Sequence, residues 1–125
     1  MNAMKWNDQT PIFRQLKEKV VELIMDGEVN EGEAVPSVRQ VAADYQINPL
    51  TVSKAYQELV DDSILEKKRG LGMFVTSGAK DKLYEDERKL FLEVEWPKIM
   101  IRIQRLGLSV KALTENVVAE SGENS

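Results

Sequence analysis

Residues 37–62 read "SVRQVAADYQINPLTVSKAYQELVDD", and this stretch decides the fold. Ser37 stands three residues before Gln40, the spacing of a capping box, in which each side chain satisfies a backbone N–H at the other position. Val38, Val41, Ala42 and Tyr45 then share one face, which predicts a short helix of about two turns. "QIN" is a tight connection with Ile47 as its buried plug. Asn48 followed by Pro49 starts a further helix, because Asn caps well and proline suits the first helical position. Its apolar stripe is Val52, Ala55, Tyr56, Leu59 and Val60, running to about Asp62. Two helices joined by so short a link have the spacing of a helix-turn-helix.

On the N-terminal side, Thr10 before Pro11 predicts another capped start. Ile12, Phe13, Leu16, Val20, Leu23 and Ile24 follow at helical spacing, with Gly27 as the stop. "GEVNEGEAVP", residues 27–36, reads as a polar loop closed by Pro36. On the C-terminal side the period changes at "ILEKKRGLGMFVTS", residues 64–77, which predicts a strand over Leu65–Arg69, a turn at Gly70–Gly72 and a strand over Met73–Thr76. The only credible linker lies near Ser77–Lys80. Beyond it Leu83, Tyr84, Leu90, Phe91 and Val94 share a helix face, Pro97 interrupts or kinks the helix, and Ile99, Met100, Ile103 and Leu106 resume it up to Gly107. Ser109 caps a last short helix with Val110, Leu113, Val117 and Val118. The expected fold is mainly α with a small β-wing: three helices and a hairpin, over residues 1–78, then a short helical region over 79–125.

Composition narrows the function. The chain has 125 residues, of which 42 % are hydrophobic and 30 % charged, as in a globular protein with one modest core. No stretch is apolar enough for a membrane helix, and the start has no secretory pattern, so a cytoplasmic location is expected. The absence of His and Cys removes thiol nucleophiles, imidazole bases and the usual transition-metal ligands. No catalytic residue, metal or cofactor is expected. Asp61 with Asp62, and Glu85, Asp86 and Glu87, sit in helical contexts as solvated faces.

What the core leaves over points to nucleic acid. On the third helix Leu50, Ser53, Lys54, Gln57 and Asp61 lie opposite the buried stripe, with Thr51 at its edge. This is either a solvated face or the face of a recognition helix, whose N-terminal part enters a major groove. Lys67, Lys68 and Arg69, immediately before Gly70, put charge at a hairpin tip, where phosphates or a narrow minor groove can be met. With the helix-turn-helix spacing, the wing favours the DNA reading.

Residues 10–76 resemble the winged-helix domain of the GntR family of bacterial transcription regulators, through "PIFRQL", "PSVRQVA", "NPLTVSKAYQEL" and "RGLGMFV" in that order. The short tail resembles the YtrA subfamily, which carries a helical dimerisation region instead of a large effector domain. The resemblance implies that Arg39, Thr51, Ser53 and Lys54 contact DNA, that Tyr56 supports a phosphate contact, and that Arg69 and Gly70 approach the minor groove. Leu50 departs from the polar residue common at its place and is suited to a thymine methyl. The alternative for Arg39 is an ion pair with Glu58 or Asp44. The family also implies a repressor, and control of a neighbouring transporter operon.

The chain is acidic, with net charge −4. Residues 1–78 hold nine basic and twelve acidic residues, and residues 79–125 eight and nine. Non-specific DNA affinity should therefore be weak, and the acidic Glu28, Glu31 and Glu33 should face away from DNA. The tail is too short to bury its own stripe around a ligand pocket, so a homodimer is expected, with Leu83, Leu90, Phe91, Val94, Ile99, Ile103 and Leu106 as the seam. It predicts an inverted-repeat operator of double-stranded DNA. A small-molecule effector, if one acts, belongs in a crevice of that interface beside Trp96. Trp6 and Trp96 themselves read as core or interface residues. The rival is a winged-helix protein-interaction module without specific DNA binding.

Overall fold

The computed structural model describes residues 6–115. The elements follow in the order α1 (Ile12–Met25), α2 (Val38–Tyr45), α3 (Pro49–Asp61), β1 (Leu65–Lys68), β2 (Gly72–Val75), α4 (Ala79–Leu90), a π-helical turn (Phe91–Glu95) and α5 (Trp96–Arg105). Residues 110–115 are helical again, and the expected apolar positions Val117 and Val118 lie outside the described residues. The chain divides into two compact units, Met1–Glu85 and Asp86–Ser125.

In the first unit the caps explain where helices begin. Ser37 Oγ accepts the Gln40 N–H at 3.1 Å, although the return bond that would complete the capping box is not made. Asn48 Oδ1 accepts the Leu50 N–H at 2.9 Å, with Pro49 in the first turn. Between these helices Gln46 takes a left-handed conformation, φ 54°, which turns the chain within three residues. Thr10 is not the cap of α1. Pro11 is the last extended residue, and the Thr10 carbonyl instead accepts the Gln15 side-chain amide at 2.6 Å.

Leu16, Val20 and Ile24 of α1 meet Val41 and Ala42 of α2 and Val52, Ala55, Tyr56 and Leu59 of α3 in one core, closed by Ile64, Leu65 and Val75 of the wing. Ala79 and Leu83 are buried in the same core, so the start of α4 belongs with this unit. Trp6 packs edge-on against Tyr45, with ring centroids 6.1 Å apart. The wing is an antiparallel pair with Leu65 opposite Val75 and Lys68 opposite Gly72. Its turn is Arg69–Leu71, one residue earlier than expected, because Gly72 is already paired. The loop before α2 also contributes to the wing: Ala34 bridges Phe74, and the Val35 N–H donates to the Met73 carbonyl at 2.9 Å.

In the second unit Pro97 does not break the helix. It has no N–H to donate and its ring presses on the preceding turn. The helix adapts just ahead of it by widening into the π-helical turn, in which the Trp96 N–H reaches back to the Phe91 carbonyl. Phe91 and Trp96 lie against each other with centroids 6.1 Å apart. Ile103 is buried, whereas Leu90, Phe91, Val94, Ile99 and Leu106 remain 40–61 % exposed.

Candidate nucleic-acid interface

The outward face of α3 is assembled as its periodicity requires. Val52, Ala55, Tyr56 and Leu59 are buried; Leu50, Ser53, Lys54 and Gln57 are exposed, and Thr51 is half-buried between the two faces. Leu50 is 76 % exposed, an apolar side chain presented to solvent at the start of the recognition helix. The polar residues are not equally free. The Lys54 ammonium sits over the Phe13 ring of α1, 4.0 Å from its centroid. Gln57 donates its side-chain amide to Asp61 at 2.9 Å, which draws it toward the C-terminal half of the helix.

Arg39 is exposed on α2 and forms no ion pair among the described residues. Glu58, one of its two possible carboxylate partners, is taken by Lys17 at 3.4 Å, and Lys17 also reaches Asp62 at 2.8 Å. Arg39 lines an open cleft with Val38, Ala42, Ala43, Ile47 and Pro49, beside the start of α3.

In the wing Lys67, Lys68 and Arg69 are all exposed. Lys68 lies 4.6 Å from the Phe74 ring centroid and 3.8 Å from Glu66, while Arg69 has no carboxylate partner among the described residues. Gly70 has φ +78° and Gly72 +113°, values that side-chain-bearing residues rarely adopt, and the space where a Cβ would stand at either position is open. Leu71 between them is 72 % exposed. A single leucine in a turn carries no periodic signal, so Leu71 has no mark in the sequence, and the Phe13 contact has none because Phe13 falls on the core stripe of α1.

Two groups have structural work instead. Glu33 accepts the Asn30 N–H at 2.7 Å and Glu31 accepts the Gly78 N–H, so these carboxylates cap loops. Tyr56, implied as a phosphate support, is 1 % exposed and its hydroxyl donates to the Pro36 carbonyl at 2.6 Å, sealed within the chain. Among the described residues no group of three or more acidic side chains gathers as metal ligands would.

The buried phenol has a pH consequence. Burial, reinforced by the neighbouring Tyr45, pushes the Tyr56 hydroxyl far above its ordinary value; burial and Asp44 raise Tyr45 as well. The fold thus favours the neutral phenol, while an unfolded tyrosine loses its proton above about pH 10. For Tyr56 the contribution is complete below that pH and is lost as pH rises above it, by up to about 1.4 kcal/mol per pH unit. Lys17 acts in the same direction: burial lowers its ammonium, but hydrogen bonds and charge from Asp62 and Glu58 outweigh this and raise it. Urea midpoints should therefore stay level from pH 7 to 9 and fall beyond 10, and Tyr56→Phe should flatten that fall. A slope unchanged by Tyr56→Phe would contradict the assignment.

A short, tightly turned helix pair, an outward helix face of small and cationic side chains and a glycine-tipped cationic hairpin together define a winged helix-turn-helix DNA-binding protein. Residues 13–75 match the profile of the bacterial regulatory proteins of the gntR family. The chain belongs to this family, and it is a DNA-binding transcription regulator. Over 106 residues it is 35 % identical to the HTH-type transcriptional repressor YtrA of Bacillus subtilis (strain 168), covering 85 % of this chain and 81 % of that one. A GntR family transcriptional regulator from Listeria monocytogenes superposes with a TM-score of 0.75 at 26 % identity, covering 91 % of this chain and 98 % of that one. The DNA-binding domain of AraR in complex with operator ORX1 shares the fold, with a TM-score of 0.55 at 21 % identity over 61 % of this chain and 96 % of that one. Among the described residues no helix is long and apolar enough to cross a membrane.

Proposed function

We propose that the protein is a cytoplasmic homodimer that represses transcription by occupying an inverted-repeat operator. The observation that carries this reading is the freedom of its cations: Arg39, Lys54 and Arg69, on α2, α3 and the wing, are exposed and form no ion pair among the described residues, in a chain with more acidic than basic side chains. Thr51, Ser53 and Leu50 complete the major-groove face, and Gly70 lets the wing backbone approach closely. The Bacillus relative is a transcriptional repressor, which supports the sign of the regulation. The reading assigns no catalytic residue, and its relatives are transcription regulators.

Fluorescence anisotropy with the promoter DNA upstream of the protein's own gene, with salt varied and an unrelated duplex as control, tests it. Binding should saturate at two chains per site. Arg39→Ala or Lys54→Ala should each weaken it by about 1–3 kcal/mol, roughly fivefold to 150-fold. Equal weak binding to both duplexes removes autoregulation. If selection from genomic fragments then enriches no sequence, specific DNA binding is wrong and the cationic wing serves an acidic protein partner.

A further inference from the structure

The seam between α1 and α3 sorts its charges by position. The two helices run alongside in the same sense, since Phe13 meets Lys54 while Lys17, one turn further along α1, meets Glu58 and Asp62 one and two turns further along α3. The start of α1 therefore stands at the N-terminal half of α3, the end that faces DNA. At the far rung a single ammonium is neutralised by two carboxylates. At the near rung the balance is reversed: Lys54 lies 4.0 Å and Arg14 6.0 Å from the centroid of the same Phe13 ring. Neither cation forms an ion pair among the described residues, and the first turn of α1 contains no acidic residue.

We propose that Arg14 and Lys54, gathered on the Phe13 ring, form a phosphate anchor that fastens α1 to the DNA backbone, with Arg14 the contact and Phe13 the positioning residue. Standing 4.0 and 6.0 Å from one ring centre, the two cations can be no further apart than those distances combined, about one Debye length at 0.1 M salt (about 10 Å), and so repel one another in the free protein. Attraction of an exposed cation to a ring face is weak, and an anion between them turns the repulsion into shared attraction. Phosphates follow one another every about 3.4 Å of helix axis along one strand, close enough for both cations to meet the same or adjacent ones. The ring also holds the lysine ammonium in place, which reduces the rotamer freedom lost on binding. Because a phosphate carries no base identity, the anchor adds affinity and register without sequence preference.

The inference rests on the DNA-binding reading, and the experiment keeps the two apart. A genomic-fragment operator duplex and an unrelated duplex are titrated across a salt series with the full chain, Arg14→Gln, Phe13→Leu and Phe13→Tyr, with thermal melts confirming that each is folded. Arg14→Gln should reduce the slope of log Kobs against log salt by about one for each protomer bound and leave the operator-to-control ratio unchanged. Phe13→Leu should weaken binding in the wild-type background, have no further effect once Arg14→Gln and Lys54→Ala are both present, and be rescued by tyrosine. An unaltered slope for Arg14→Gln, with Arg39→Ala still weakening specific binding, overturns the anchor and leaves the regulator reading intact. A Phe13→Leu loss that persists beside Arg14→Gln and Lys54→Ala together reduces Phe13 to a packing residue and overturns its positioning role. Absence of specific binding by the wild-type chain overturns both.

Discussion

Replacing Tyr56 with alanine should cost about 3–5 kcal/mol of folding stability, the range for emptying a large aromatic from a packed core. A domain of this size has about 5–15 kcal/mol in total, so the variant should stand close to unfolding at room temperature. Tyr56 is the largest of the fully buried side chains, on α3 in a stripe with Val52, Ala55 and Leu59, none more than 1 % exposed. Its hydroxyl donates to the Pro36 carbonyl at 2.6 Å, and so ties the recognition helix to the residue just before the cap of α2. Tyr56→Phe keeps the ring and removes that bond, at an expected cost of about 1–3 kcal/mol because the carbonyl loses its partner. Urea titrations read both, as falls in midpoint at constant slope. The pair also separates support from contact: Tyr56→Phe should leave the salt dependence of DNA binding unchanged, whereas loss of a phosphate contact would lower it. A fall of less than about 1.5 kcal/mol for Tyr56→Ala would mean that Tyr56 is not packed in the core of α1, α2 and α3.

The helix-turn-helix was legible because its signals are local. Ser37, Asn48 and Pro49 mark starts through bonds and torsions that span three residues, and the stripe from Val52 to Leu59 repeats at the helical period. What stayed illegible depends on contacts between distant segments or on bonds without a hydropathy signature. Ala34 pairs with Phe74 across forty positions, from a loop that reads as polar. The π-helical turn before Pro97 differs from an α-turn only in which carbonyl an N–H reaches, and composition records no such choice. The candidate interface shows the same division. Which residues of α3 face outward followed from the period, but that Lys54 stands on Phe13 and that Gln57 is held by Asp61 did not. Leu83 shows how a stripe misleads: it continues the apolar face of α4 in sequence, yet it is only 6 % exposed and is covered by the core of the first unit, which leaves the proposed seam to the residues after it.

Ile99→Glu is expected to split the proposed dimer and with it to lower operator affinity by about 10²–10⁴-fold, the gain that linkage of two binding modules confers. Ile99 is 40 % exposed on α5, so a glutamate there meets water in the isolated chain and should leave its folding intact. In a dimer seam with Leu90, Phe91, Val94 and Leu106 of both copies the same carboxylate would be buried without a partner, which is strongly unfavourable. Two recognition helices fixed by one interface bind two half-sites as a single event; separated, each protomer binds alone, with the weak affinity expected of an acidic chain. Ile101 is the control. It is 54 % exposed, but two residues along a helix place it about 160° around from Ile99, off the proposed seam, so Ile101→Glu should remain dimeric. Sedimentation equilibrium gives the mass of each variant, and anisotropy on full-operator and half-site duplexes gives the affinity. Ile99→Glu should lose affinity for the full operator and keep it for the half-site. A variant that stays dimeric places the seam elsewhere on the second unit, and a wild-type chain that sediments as a monomer while binding the full operator tightly would remove the dimer from the mechanism.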